Sequence, residues 1–198
     1  NIFLPTDYTF SKYQCQYLVI GTGAGGSVAG ALLAEAGKEV IMLEEGGYYP
    51  TESFTSDITQ MMSRLYRNQG IVPFLGAPTI ASAEGCCVGG GTVINGGVIW
   101  RTPPWVLEEW DRNQLQGYDQ KSLTPYFRNV EKDLNVVQTS FDEQDTNLDS
   151  KYLHEAALRL GWQSNSVPRA VKGCINENLC PTGCINGSKQ STILTYLP

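Results

Sequence analysis

Six residues, Gly21-Thr22-Gly23-Ala24-Gly25-Gly26, stand between a short apolar run and an alanine-rich stretch, and they leave few folds open. Tyr17-Leu18-Val19-Ile20 before them reads as a strand. The segment after them, through Ala36, reads as a helix closed by Gly37, and Val40-Ile41-Met42-Leu43 reads as a second buried strand. Strand, glycine turn, helix and strand within so short a span predict a βαβ unit with a parallel strand pair. In the spacing Gly21-x-Gly23-x-x-Gly26 the first glycine allows a tight turn, the second lets the backbone approach a diphosphate, and the third lets helix pack on strand. The helix N-terminus would then present free N–H groups to the diphosphate. An isolated glycine pattern is also compatible with an ordinary tight turn. Glu44 adds weight to the nucleotide reading, because it lies 18 positions after Gly26, at the end of the second strand. An acid there can accept both ribose hydroxyls and disfavours a 2′-phosphate, which leaves FAD and NAD as cofactors.

Downstream, residues 53–68 are predicted helical, with Ile58, Met61, Met62, Leu65 and Tyr66 on one face, and 70–82 form a connection. The stretch 85–100 holds six glycines and no charge before Arg101, yet keeps Val88, Val93, Ile94, Val98 and Ile99. Solvated linkers lack such apolar residues, so this segment is expected to be buried against a flat surface. Helices are predicted over 106–112, 122–134 (with Pro125 in the first turn) and 148–160, ending at Gly161. Residues 1–16 read as an arm, 138–147 as a surface loop, the stretch holding Cys174, Cys180 and Cys184 as a loop, and 191–197 as a strand or extended lead-in.

The segment Gly85-Cys86-Cys87-Val88-Gly89-Gly90-Gly91-Thr92-Val93-Ile94-Asn95-Gly96-Gly97 resembles the second flavin segment of the glucose–methanol–choline (GMC) oxidoreductases. Within that family it is most similar to the cholesterol-oxidase and long-chain-alcohol-oxidase branches. Residues 17–47 and the closing Gly187-Ser188-Lys189-Gln190-Ser191-Thr192 with Tyr196-Leu197 are similar to the same proteins, whereas 104–170 match only in texture. The resemblance implies an α/β fold with a Rossmann-like FAD-binding core and the start of a helical cap. The expected divisions are an FAD-binding segment over 1–101, a helical cap or substrate segment over 102–172, and a cysteine-containing loop returning to the FAD domain over 173–198. FAD is the implied cofactor. Gly21, Gly23, Ala24, Gly25, Gly26, Glu44 and Glu45 are expected to line it from the first segment, and Gly89, Gly90, Thr92, Asn95 and Gly96 from the second. At Cys86 the chain departs from the Arg that many relatives carry nearby.

The implied reaction is oxidation of an alcohol: a base takes the hydroxyl proton and a hydride passes to the flavin. The resemblance places that base, usually a His beside a second His or Asn, near the end of a much longer chain. His154, the single histidine, lies outside any matching motif and reads as a surface or packing residue. No catalytic residue is therefore expected in these 198 residues. The chain is expected to be a fragment or nicked product, or to pair with a second polypeptide that supplies the rest. A hydrophobic alcohol or sterol is the favoured small-molecule substrate. The alternatives are a sugar dehydrogenase with an iron–sulfur relay, and a non-catalytic FAD-binding module. For that relay, Cys174, Cys180 and Cys184 are the candidate cluster ligands; free thiols or one disulfide are the competing readings, and zinc lacks a fourth ligand. Cys86 and Cys87 read as small packing residues.

Composition narrows the partners. A net charge of −6 without a Lys/Arg cluster argues against nucleic acid and anionic membranes, and no apolar run is long enough to span a bilayer. The start at Asn1, without a signal-peptide pattern, reads as processed or trimmed, and the compartment stays open, with a soluble, cytoplasmic protein slightly favoured.

Overall fold

A computed structural model describes residues 12–138 and 147–198. The expected arm over 1–16 lies largely outside the described residues, and the expected loop over 138–147 almost entirely so. Strand β1 (Tyr17–Ile20) pairs in parallel with β2 (Val40–Leu43), with Tyr17 opposite Val40 and Ile20 opposite Leu43. Helix α1 (Ala24–Glu35) connects them. It packs closely because Gly30 has no side chain; a Cβ there would lie 2.7 Å from Met42 Sδ. Gly37 follows the helix with φ of 74°, the left-handed geometry that ends a helix readily when no Cβ is present. The α/β fold and its βαβ opening are those expected from the sequence.

Helix α2 (Ile58–Leu65) is shorter than the predicted 53–68. Asp57 caps it by accepting the Gln60 N–H at 2.9 Å, which fixes the start. Tyr66 is extended, which ends the helix at Leu65, and Asn68 and Gln69 beyond it adopt left-handed backbone angles. The connecting stretch 70–82 contains an antiparallel hairpin, β3 (Val72–Phe74) with β4 (Ile80–Ser82). The second glycine segment carries a single helical turn, α3 (Gly91–Ile94).

Met61 and Leu65 of α2 meet Cys87, Val93 and Ile94 of the second glycine segment in the main buried cluster, with Tyr49, Phe54, Tyr66 and Ile193 packed around it. The core thus sits directly under that segment. Cys87 is a packing residue, and burial, with the nearby Glu44 and Cys86 charges, pushes its thiol up to about 12.

Helices α4 (Pro104–Arg112), α5 (Gln120–Asp133) and α6 (Leu148–Arg159) follow the predicted periods. Asp119 caps α5 by accepting from the Lys121 and Ser122 amides, so the helix starts two residues earlier than predicted. Pro125 consequently falls in the second turn rather than the first, where it has no N–H to donate to Lys121 four residues back. Arg101 grips Glu131 of α5 through two hydrogen bonds, at 2.5 and 2.6 Å, and lies over the Phe127 ring. A short antiparallel pair, β5 (Val136–Val137) with β6 (Arg169–Ala170), leads back to the second glycine segment, where the Ala170 N–H donates to the Gly97 carbonyl at 2.7 Å.

The predicted strand over 191–197 is instead a helical turn, α7 (Thr192–Thr195). β-Branched residues such as Thr192 and Ile193 favour extension, but tertiary contacts decide: the Thr192 N–H donates to Thr92 Oγ1 at 3.1 Å, and Ile193 packs on the core cluster. The Tyr196 hydroxyl then donates to Asp133 Oδ2 at 2.8 Å, tying α7 to α5. No helix among the described residues is long and apolar enough to cross a membrane.

Because Leu65 is fully buried in this cluster, Leu65→Ala should lower unfolding free energy by about 2–5 kcal/mol. Denaturant unfolding of the wild-type and variant chains checks this, and a change well under the lower figure would mean that the site collapses around the missing atoms.

Candidate functional site

The two glycine segments touch. Thr22, the variable residue inside Gly21-x-Gly23, has a buried hydroxyl that accepts the Gly89 N–H at 3.0 Å. The same hydroxyl donates to Glu44 Oε2 at 2.6 Å, and the Thr22 amide donates to that oxygen at 2.8 Å. Glu44 Oε1 accepts the Gly46 N–H at 3.0 Å. The Ser27 hydroxyl donates to the Thr22 carbonyl at 2.5 Å and anchors the loop from the helix side. Strand end, first glycine loop and second glycine segment therefore meet at one threonine.

Missing side chains permit the approach. A Cβ on Gly26 would lie 2.0 Å from the Gly21 carbonyl oxygen, and one on Gly90 would lie 3.0 Å from Gly23 Cα. One on Gly46 would lie 2.3 Å from the Cys86–Cys87 peptide. By contrast, a Cβ at Gly23, Gly25 or Gly91 would meet nothing within 4 Å, so the loops face open space on their outer side. No side chain caps the N-terminus of α1 and no acid occupies its first turn. Free amides at a helix start, with bare backbone around them, suit the diphosphate of a dinucleotide.

Glu44 is held in its ionised form. Burial alone would raise its carboxyl, but hydrogen bonds from the Thr22 hydroxyl and from the Gly46 and Thr22 amides outweigh that and hold it below the usual range. A carboxylate offers about four acceptor positions. Three are filled here by the chain's own donors, and a position remains for a further donor. Glu45 pairs with Arg67, whose Nε also donates to Glu84 at 3.0 Å, and the guanidinium holds the Glu45 carboxyl below its ordinary value.

In the second segment, Thr92 Oγ1 donates to the Gly89 carbonyl at 2.7 Å and lies 3.1 Å from Thr192 Oγ1. Asn95 Oδ1 accepts the Gly97 N–H at 3.0 Å, and Asn95 and Gly96 are exposed. Ala24 and Gly25 are likewise exposed at the start of α1. Thr22 and Ser27 carried no signal in a pattern read for its glycines. Nor did the closing segment 187–192 single out Lys189, which is buried and donates to three backbone carbonyls.

The late cysteines are free thiols with separate partners. Cys180 Sγ accepts from Arg169 Nη2 at 3.2 Å, Cys184 Sγ lies 3.0 Å from Asn186 Oδ1, and Cys174 Sγ lies 3.8 Å from Asn176 Oδ1. Among the described residues, no group of three or more His, Cys, Asp or Glu is placed to hold a metal ion. His154 lies half-buried on α6.

The sequence profile of the GMC oxidoreductases matches residues 15–198. The chain belongs to the GMC oxidoreductase family. It is 34% identical over 188 residues to an uncharacterised GMC-type oxidoreductase of Sinorhizobium fredii, covering 94% of this chain and 37% of that protein. It is 29% identical over 195 residues to a long-chain-alcohol oxidase of Arabidopsis thaliana, covering 98% of this chain and 26% of the relative. Among solved structures, pyridoxine 4-oxidase from Mesorbium loti superposes with a TM-score of 0.63 at 16% identity, over 93% of this chain and 40% of that one. That likeness speaks for the fold. In each comparison this GMC chain spans well under half the length of its relative.

The hydroxyl of Thr22 is the leading influence that lowers Glu44, so the ionised junction stabilises the fold above the ordinary carboxylate range and is lost as pH falls through the depressed value. Thr22→Val should move Glu44 back toward its ordinary value and shift the acid-unfolding midpoint to higher pH. Circular dichroism during acid titration of both proteins tests this, and coincident midpoints would count against the junction.

Proposed function

We propose that this chain is the FAD-binding N-terminal part of an enzyme that oxidises an alcohol, and that it works together with further polypeptide, either the remainder of the same protein or a partner chain. The observation that carries this reading is the hydrogen bond from the Gly89 amide to the Thr22 hydroxyl, which sets two bare stretches of backbone side by side. Membership of the GMC family and relatives named long-chain-alcohol oxidases support the choice of FAD and of an alcohol.

In this reading Gly21, Gly23, Ala24, Gly25 and Gly26 hold the diphosphate through backbone N–H groups. Glu44 accepts a ribose hydroxyl with its remaining acceptor position. Gly89, Gly90, Thr92, Asn95 and Gly96 form the floor for the ring system, where a side chain would take up the space. Bound FAD would supply the hydride acceptor. The base that removes the hydroxyl proton belongs to the part of the enzyme beyond this chain. The residues of 102–172 form the start of a cap over the substrate, and 173–198 return to the FAD domain. The open parallel pair agrees with such a partner: Leu18, Ile20 and Leu43 are more than half exposed, whereas parallel strands are ordinarily covered on both faces.

The test is made on the native polypeptide that carries residues 1–198. It should purify with bound flavin, and a long-chain alcohol added without oxygen should bleach the flavin absorbance. A mass measurement should show protein beyond these residues in the active material. Gly90→Val, which pushes a side chain toward Gly23, should abolish flavin binding. Purified protein without flavin, or flavin that no alcohol bleaches, would overturn the proposal.

A further inference from the structure

Lys189 is 3% exposed, and its ammonium donates to the Val93 and Asn95 carbonyls at 2.5 and 2.8 Å and to the Cys180 carbonyl at 2.5 Å. An ammonium has three donors, and all three are used. No carboxylate pairs with it among the described residues. A buried cation without a counter-charge persists only where its hydrogen bonds are satisfied, which makes the position of those carbonyls and of the ammonium mutually dependent. The Lys189 amide donates to Cys184 Sγ at 3.2 Å, so the cysteine loop holds the same residue from its other side. Its stem runs beneath Gly97, where a Cβ would lie 3.5 Å from Lys189 Cγ.

The carbonyls concerned are not arbitrary. Val93 lies in α3 and Asn95 is its C-cap, so the ammonium closes the end of the one helical turn in the second glycine segment. The start of that turn is fixed by Gly89 against Thr22, and its flank by Thr92 against Thr192. The Ala170 amide holds the Gly97 carbonyl, but that contact lies past the turn; Lys189 holds the carbonyls of the turn itself. We infer that Lys189 is a positioning residue for the flavin floor: its ammonium pins the Val93–Asn95 backbone to the Cys180 loop and so sets the shape of the surface on which the flavin rests. This rests on the reading of 85–97 as the flavin segment. The cysteine loop gains a role from it without a metal or a disulfide, as the far anchor of the pin.

The test compares wild type, Lys189→Met and Leu107→Ala in the native polypeptide. Leu107 is buried in α4, so its truncation weakens the fold elsewhere. FAD affinity is measured by fluorescence titration, and amide hydrogen exchange on the FAD-free proteins. Lys189→Met should weaken FAD by about tenfold or more and speed exchange chiefly over 91–97 and 180–184, whereas Leu107→Ala should stay within about threefold of wild-type affinity. Unchanged affinity in Lys189→Met, or an equal loss in both variants, would overturn the inference. If wild type itself binds no FAD, the flavin reading falls, and exchange still decides the pin: local acceleration at both segments supports it and uniform or absent acceleration refutes it. Should Lys189→Met not fold, Lys189→Gln, which keeps two donors, is measured in the same way, with the same two segments expected to loosen and unchanged affinity again overturning the inference.

Discussion

A single hydroxyl has to serve two unlike neighbours. Glu44 can only accept a hydrogen bond and the Gly89 amide can only donate one, and Thr22 stands between them, donating at 2.6 Å and accepting at 3.0 Å. A methyl group could do neither, and an ammonium or carboxylate could do only one. Glu44 lies 22 residues from Thr22 and Gly89 lies 67 residues away, so the contact fixes distant parts of the chain at one point. Close backbone approaches surround this contact. Gly26, Gly46 and Gly90 are glycine because backbone or loop occupies the place of their Cβ atoms.

The second junction, at Lys189, uses the opposite arrangement. Thr22 is a buried hydroxyl between a charge and an amide, whereas Lys189 is a buried charge placed among neutral carbonyls. Burial pushes its ammonium down to about 8, against the pull of the Cys180, Cys184 and Cys87 sulfurs. Three short hydrogen bonds offset part of that desolvation, and the offset holds only while α3 and the cysteine loop keep their places. The two junctions bracket the second glycine segment, one at its entry and one at its exit. Between them Val93 and Ile94 face the buried cluster, so the outer surface of the segment is left to backbone.

The rest of the molecule is less self-sufficient. The main buried cluster is small and lies under the glycine segment, not around the strand pair. Ile20 is 80% exposed on β1, and α6 has no buried residue. Such exposed apolar surfaces are what the proposed reading would cover with further polypeptide.

The sequence by itself determined the elements whose pattern is local. The strands 17–20 and 40–43, the helix between them and the helices of the middle segment are set by apolar period, by a glycine or proline at an end, and by caps within a few residues. It also carried the resemblance to the family, because Gly21–Gly26 and 85–97 are dense in glycine, and Gly26 and Gly85 have no room for a Cβ. Tertiary structure alone decided where local preference is weak or indifferent. The stretch 192–195, with β-branched Thr192, Ile193 and Thr195, is a helical turn in which Thr92 receives the Thr192 amide, and a proline in the second turn of α5 was acceptable once Asp119 had set the start. Thr22 and Lys189 were equally hidden, since the value of a hydroxyl or an ammonium lies in which carbonyl, carboxylate or amide is brought within 3.0 Å of it. Those partners are 67 and 94 residues away, a distance over which periodicity carries no information.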